Sequence, residues 1–208
     1  MLRNIIICLI LGYLCGCLST AYFVGRANNI DIRKYGSGNA GTTNAMRLLG
    51  VKAGILTFLG DALKALIPIL IITFVVFKNE PYVHLVALYT GLGVVIGHNF
   101  PFWLHFKGGK GIAATGGAIL AFDWRIGLAA LVLFVVSVAI TRFVSVGSLL
   151  ISLLFPIGVL IFYPGDLHML LISFLFTVLA FIRHRTNIQR LMSGTENKIG
   201  QKAKIEEK

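Results

Sequence analysis

Long apolar runs alternate with short polar breaks along the whole chain. Asn4 to Val24 is the first run, and about 20 residues at ~1.5 Å each cover a ~30 Å hydrocarbon core. Residues 25–52 are polar and basic. Ala53 to Phe77 is the second run, and Lys78-Asn79-Glu80-Pro81 closes it as a tight turn. Tyr82 to Gly97 is the third, and it leaves through His98-Asn99-Phe100-Pro101-Phe102-Trp103, an aromatic belt of the interfacial kind. Ile112 to Phe122 is apolar but spans only 11 residues, roughly 17 Å as a helix. The pattern allows it to be a short crossing or a re-entrant hairpin. After the turn at Asp123-Trp124-Arg125 come Ile126 to Thr141, Val144 to Phe162 and Leu167 to Ile182. Residues 191–208 form a polar tail whose Lys/Glu-rich end is expected to be mobile.

Charge decides between the two forms of the short segment. If it crosses, the chain has seven spans and one face collects fifteen Lys/Arg: Arg26, Arg33, Lys34, Arg47, Lys52, Lys107, Lys110, Arg142 and the seven from Arg183 onward. The opposite face keeps Arg3, Lys78 and Arg125. If it is re-entrant, the split is eight against ten and no bias remains. Cytoplasmic loops carry the excess of Lys and Arg. The expected fold is therefore an all-α integral membrane protein of seven transmembrane helices, N-terminus outside and C-terminus cytoplasmic. Residues 1–190 make one membrane domain and 191–208 a cytoplasmic tail.

Composition agrees. Of 208 residues, 57% are hydrophobic and 13% charged, with mean hydropathy +0.85, which excludes an ordinary soluble domain. The net charge of +11 does not lie on a soluble basic face, so no nucleic acid is expected as a partner. Cys8, Cys15 and Cys17 all fall in the first run and read as reduced, buried residues without metal spacing. Leu14-Cys15-Gly16-Cys17 has a slight likeness to a lipoprotein cleavage site. The apolar run continues to Val24 and the chain then spans again, so neither a lipid anchor nor a cleavable signal peptide is expected. Inside the second run, Asp61 and Lys64 share one helix face. A paired acid and base in a span face protein or water rather than lipid. They serve equally well as a packing pair or as a brace for a polar site.

Three polar motifs fall on the predicted cytoplasmic face. Gly36-Ser37-Gly38-Asn39-Ala40-Gly41-Thr42-Thr43-Asn44 has glycines that let backbone N–H groups converge and short hydroxyls and amides that donate to an oxyanion. Arg47 follows with a forked cation suited to phosphate. Alone, such a run is a flexible polar turn. Lys107-Gly108-Gly109-Lys110-Gly111 enters a helix, whose N-terminus favours an anion, though the spacing is not that of a nucleotide P-loop. Arg142, Ser145 and Ser148 add a cation and hydroxyls, and His184 and Asn187 lie three apart at the end of the last span. A snorkelling Arg and an interfacial structural His are the ordinary readings of these in isolation.

The usual nucleophile systems are missing. There is no G-x-S-x-G. No His is followed five positions later by Asp, since Tyr89, Trp103, Lys110, Ser173 and Gln189 occupy those places. Asp and Glu are too sparse in the loops for metal-dependent phosphoryl chemistry. The pattern is that of a site for two anions side by side, with no metal and no cofactor.

Gly36-Ser37-Gly38-Asn39-x-Gly41-x-Thr43-Asn44, His98-x-Phe100-Pro101 with Phe106-Lys107-Gly108-Gly109-Lys110-Gly111, and Arg183-His184-x-x-Asn187-Ile188 with Gly194-x-Glu196-x-Lys198 resemble the three motifs of the bacterial acyl-phosphate:glycerol-3-phosphate acyltransferases, the PlsY family. The resemblance runs in order over nearly the whole chain. It implies transfer of a fatty acyl group from acyl phosphate to the 1-hydroxyl of glycerol 3-phosphate, giving lysophosphatidic acid and inorganic phosphate, in a bacterial plasma membrane. It further implies that Ser37, Gly38, Asn39, Gly41, Thr43, Asn44, Gly108 and Gly109 hold the acyl phosphate. Glycerol 3-phosphate would fall to Arg47, Lys107, Lys110, Arg142, Ser145, Ser148, His184 and Asn187. Ser37, Asn44, His98 and Lys110 are the expected catalytic set. The implied partners are the two substrates, membrane lipid and the enzyme that makes acyl phosphate. A transporter of phosphate or organic anions is the alternative. Transporters place substrate near the bilayer midplane and often carry inverted repeats; here the polar motifs gather at one face and no internal repeat is found.

Overall fold

An apolar helix forms wherever the pattern predicts a span. The computed structural model describes residues 1–201, which are helical and without strands; the Lys/Glu-rich end of the tail, 202–208, lies outside the described residues. In chain order the helices are α1 (Leu2–Gly16), α2 (Thr20–Ala27), α3 (Thr42–Leu49), α4 (Val51–Ile71), α5 (Val83–Asn99), α6 (Ile112–Phe122), α7 (Trp124–Thr141), α8 (Val144–Phe162), α9 (Leu167–Arg183) and α10 (Arg185–Met192). Ile72–Val76 extends α4 in a wider π winding.

Helix α5 is apolar all round and is the axis of the bundle. Its span is 78% buried, against 28% for the spans containing α4 and α7. Helix α1 lies directly against it. A Cβ on Gly12 or Gly16 would collide with the Thr90 or Val94 carbonyl, and one on Gly93 or Gly97 with the Leu9 or Tyr13 carbonyl. Small residues four apart on both helices thus let the backbones touch, the packing that membrane helices use where burial of apolar surface gives no drive. The core also takes Ile69, Val86, Leu88, Ile119, Phe155 and Phe176. Ile10, Ile67, Val132, Ile161 and Phe174 stand exposed on the outside of the bundle, as lipid requires.

Five stretches are long and apolar enough to cross a membrane: Leu2–Ala27, Val51–Val76, Val83–Leu104, Trp124–Thr141 and Val144–Phe162. Helix α9 with α10, bent by 60° at His184, makes a sixth if the pair is counted as one span. Helix α6 is shorter. The chain is thus an all-helical, multi-pass membrane protein.

Two local features differ from the pattern. The first run breaks at Cys17-Leu18-Ser19, between α1 and α2. The freed Cys17 carbonyl accepts from Trp103 Nε1 at 2.8 Å, so a distant aromatic supplies the partner that the helix no longer provides. The polar segment 25–52 contains an eight-residue helix, α3, in place of a simple loop.

Candidate active site

The first loop is held from beneath by Asn44. This amide is buried, with 1% exposed. Its Oδ1 accepts from Ser37 N at 3.0 Å, and its Nδ2 donates to the Ile32 and Tyr35 carbonyls at 3.0 and 3.2 Å. Every strong bond of the side chain therefore goes to loop backbone. Gly36 and Gly38 take positive φ of 58° and 72°, conformations that cost L side chains energy. The loop leads into α3, whose first N–H groups have no partner within the helix. Arg47 lies one turn on, half-buried, and its Nε is buried without a partner. Burial pulls the Arg47 guanidinium below its ordinary pKa, with Glu196 opposing.

The second loop is folded onto the end of α5. Gly108 N donates to the Asn99 carbonyl at 3.2 Å and Gly109 N to the His98 carbonyl at 3.1 Å. A Cβ on Gly109 would collide with His98 Nε2 and with the Ala40 carbonyl, so this glycine is where the first and second loops meet. Arg183 clamps the outer side. Its Nε donates to the Gly109 carbonyl at 3.1 Å, and its Nη2 to the Gly108 and Gly109 carbonyls at 3.1 and 2.8 Å. The fixed fork of a guanidinium suits two adjacent carbonyls.

The third element is the return of the chain after α10. Thr195 N donates to the Arg190 carbonyl at 2.8 Å and Ile199 N to the Arg142 carbonyl at 2.8 Å. This places the Glu196 carboxylate among Ser145 Oγ (2.9 Å), Asn187 Nδ2 (2.6 Å) and Arg190 Nε (2.8 Å). Lys110 Nζ donates to Asn187 Oδ1, and Arg47 Nη2 donates to the Asn197 carbonyl at 3.3 Å. Burial, only partly offset by Glu196, brings Lys110 down to about 8, with Arg190, Arg183 and Arg47 adding repulsion. Burial tends to raise Glu196, but hydrogen bonds from Arg190, Asn187 and Ser145 outweigh it and hold the carboxyl below its ordinary value. His184 Nδ1 lies 2.8 Å from the Ala180 carbonyl. A carbonyl only accepts, so Nδ1 carries the proton and, in the neutral ring, Nε2 keeps its lone pair.

Comparison with known proteins decides what this end of the bundle belongs to. The glycerol-3-phosphate acyltransferase family model matches residues 6–194. Glycerol-3-phosphate acyltransferase of Thermoanaerobacter sp. (strain X514) is 42% identical, over 94% of this chain and 96% of that protein. The enzyme of Shouchella clausii is 38% identical, over 97% and 99%. The crystal structure of PlsY (YgiH), an integral membrane glycerol 3-phosphate acyltransferase, in its glycerol 3-phosphate form superposes with TM-score 0.85 at 32% identity, over 94% of this chain and 96% of that one. The chain belongs to the PlsY family of glycerol-3-phosphate acyltransferases.

This PlsY-family chain brings most of the residues singled out by sequence to one end of the bundle. Ser37, Gly38, Asn39, Gly41, Thr43 and Asn44 form one wall, and Gly108, Gly109 and Lys110 adjoin it through His98. Arg47, Ser145, His184 and Asn187 complete the cluster around Lys110 and Glu196. Three predicted residues stand apart. Lys107 is exposed. Ser148 Oγ donates to the Val144 carbonyl of its own helix at 2.8 Å. Arg142 reaches the Ile199 carbonyl at 3.5 Å. In the sequence, Arg190 stands out only as positive charge, and Arg183 and Glu196 only as motif letters. No periodicity marks any of the three, because each acts on a segment distant in the chain or across a turn.

Proposed function

We propose that the chain transfers a fatty acyl group from acyl phosphate to the 1-hydroxyl of sn-glycerol 3-phosphate, releasing lysophosphatidic acid and inorganic phosphate. The observation that carries this reading is the cluster of Arg47, Lys110, Asn187, Arg190 and Ser145 beside the Gly36–Asn44 loop. Among the described residues, three cations there face a single carboxylate, Glu196, so the site keeps a positive surplus next to a second set of neutral donors. Two phosphates side by side match that division. The PlsY crystal structures in glycerol 3-phosphate and lysophosphatidic acid forms support the acceptor and the product.

In this reading the donor's phosphate lies against Ser37, Asn39, Thr43 and the first turn of α3. Gly38, Gly41 and Asn44 hold that loop in shape, and Gly108 and Gly109, whose N–H groups go to α5, shape the second. The phosphate of glycerol 3-phosphate takes Lys110, Arg47, Asn187 and Ser145, with His184 beside them, and Arg142 and Lys107 enrich the approach in positive charge. Glu196 keeps Ser145, Asn187 and Arg190 aimed. The 1-hydroxyl oxygen attacks the acyl carbon, its proton passes to an oxygen of the donor's own phosphate, and the bond between the acyl carbon and the oxygen that bridges it to phosphorus breaks to release hydrogen phosphate. Acyl phosphate is a mixed anhydride with a good leaving group, so no covalent enzyme intermediate is needed. Proximity and the substrate's own base supply the catalysis, and an N–H of the first loop stabilises the tetrahedral oxyanion, a device worth ~3–4 kcal/mol elsewhere.

The charge asymmetry of the loops supports seven crossings, with the short α6 as one of them, the N-terminus outside and the site at the cytoplasmic face of a bacterial inner membrane. A donor as hydrolysable as acyl phosphate fits contact with the enzyme that makes it. The test is direct: the purified protein, given palmitoyl phosphate and labelled glycerol 3-phosphate, forms labelled lysophosphatidic acid. Formation of none, by protein that is folded and in lipid, contradicts the reading.

A further inference from the structure

Below the junction of the two loops lies a buried group of charges that the reaction above does not use. Asp61 and Lys64 stand on α4, and His98 stands near the end of α5. Their exposures are 1% for Asp61 and 5% for His98, with the Lys64 side chain at 5%. Lys64 Nζ donates to the Leu18 carbonyl at 2.6 Å and lies 2.9 Å from His98 Nδ1. It also stands 3.0 Å from Asp61 Oδ1, an ion pair off hydrogen-bond alignment. Asp61 Oδ1 is itself 3.6 Å from His98 Nδ1. The other ring nitrogen, Nε2, packs against Gly109, where a Cβ would collide with it and with the Ala40 carbonyl of the first loop.

An ammonium group has three donors and no acceptor. Around Lys64 stand three acceptors: a carbonyl, a carboxylate and a ring nitrogen. The donation to His98 requires Nδ1 to be bare, so the ring proton sits on Nε2. Asp61 balances the ammonium inside the bundle, where a lone charge would be costly. The break between α1 and α2 contributes as well, because the third acceptor is the Leu18 carbonyl that the broken helix leaves free.

We propose that Asp61 and Lys64 are positioning residues that lock His98 in its Nε2–H tautomer, so that the ring packed against Gly109, at the seam between the Gly36–Asn44 and Lys107–Gly111 loops, is held in one orientation. His98 is then no general base: one nitrogen is taken by Lys64 and the other already carries a proton. The ring instead fixes the distance between the two loops and so, on the reading given above, between the two bound phosphates. Two glycine-rich loops have little intrinsic rigidity. A buried ion pair on a transmembrane helix gives the seam a stiff base.

The test uses the full chain in lipid nanodiscs with 15N-labelled histidine, and His98→Gln to identify the resonance. The expected result is a ring with bare Nδ1 and protonated Nε2. A proton on Nδ1, or on both nitrogens, overturns the proposal. The double variant Asp61→Asn/Lys64→Met removes both charges together and so leaves no lone buried ion. In it, His98 is expected to relax to a mixture of tautomers. The kcat of acyl transfer should fall at least about tenfold, as for a site displaced by a fraction of an ångström, while KM for glycerol 3-phosphate changes less than about threefold. An unchanged tautomer, or an unchanged kcat, in the folded double variant overturns it too. The resonance needs no turnover. A chain with the expected His98 state that ignores acyl phosphate contradicts the reading of the reaction and not the positioning of His98.

Discussion

The two ends of the bundle handle charge in opposite ways. At the end formed by the start of α7 and the start of α9, charge is consumed locally. Asp123 caps α7 by accepting from Arg125 N at 2.8 Å, and it also accepts from Arg125 Nη2 at 2.6 Å and Tyr163 Oη at 3.0 Å. Asp166 caps α9 through Met169 N at 2.8 Å. At the other end, Arg47, Lys110 and Arg190 gather around Glu196, while Arg183 is bonded to glycine carbonyls. Caps and local pairs finish a helix and leave nothing for a ligand. Cations brought together from four separate segments, with too few acids to match, leave donors and positive potential for an anion. On the proposed reading, structural charge is thereby separated from charge held for substrate.

The largest expected effect tests this separation. Lys110→Met should cut kcat/KM by about 10²–10³-fold, the loss measured when a preorganised donor is removed, whereas Arg125→Met should change it by no more than about twofold, since the exposed Arg125 side chain pairs, among the described residues, only with groups at the opposite end of the bundle. Steady-state assays on both purified variants check this, and similar losses at the two ends would abolish the distinction. Next comes Asn44→Ala, which removes the bonds to Ser37 N and to the Ile32 carbonyl, at a cost of about 1–3 kcal/mol for each buried group left unsatisfied. Turnover is expected to collapse while the protein still inserts and purifies; near-normal turnover would show that the loop keeps its shape without the amide. A smaller loss, about tenfold, is expected of Arg183→Lys, which keeps the charge but not the fork on Gly108 and Gly109. Were the charge alone to matter, that variant would match the parent.

The fourth effect depends on pH. Burial brings Lys110 to about 8, so the ammonium is present below that pH and lost above it. kcat/KM for glycerol 3-phosphate, which reports the free enzyme, should fall as pH rises through about 8. Lys110→Arg should remove that inflection, because a guanidinium stays charged; an inflection that survives belongs to another group. The smallest effect is expected of Asp123→Ala, with about 1 kcal/mol of stability lost with the cap and turnover unchanged, as thermal unfolding in detergent and the same assay would show.

Much of this architecture is legible in the sequence because membrane helices follow hydropathy so closely. Val144 to Phe162 was bounded to the residue, and the gathering of the three polar motifs at one end followed from counting Lys and Arg. The break at Cys17-Leu18-Ser19 was not legible: no proline or charge marks it, and its stabilisation comes from Trp103 and Lys64, both remote in sequence. The backbone bonds of Asn44 are hidden for a related reason. A buried amide saturated by loop backbone and one facing a phosphate look alike in a Gly/Ser/Asn run. Asp61 and Lys64 were recognised as a pair, but His98 as their third member required α4 and α5 to be placed side by side. Arg183 shows the same limit, since a clamp and a membrane-edge charge share one letter.

The account stands on a site that holds two phosphates and borrows its base from the donor, and the choice of donor tests that most directly. Purified protein in lipid should be given palmitoyl phosphate or palmitoyl-CoA, each with labelled glycerol 3-phosphate, and lysophosphatidic acid followed over time. A thioester brings no phosphate to the reacting carbonyl, so the Gly36–Asn44 loop would have nothing to hold and the hydroxyl no base to receive its proton. The account predicts turnover with palmitoyl phosphate and little or none with palmitoyl-CoA. Comparable rates with the two donors would contradict it and move the base to the protein, with the free Nε2 of His184 as the first place to look.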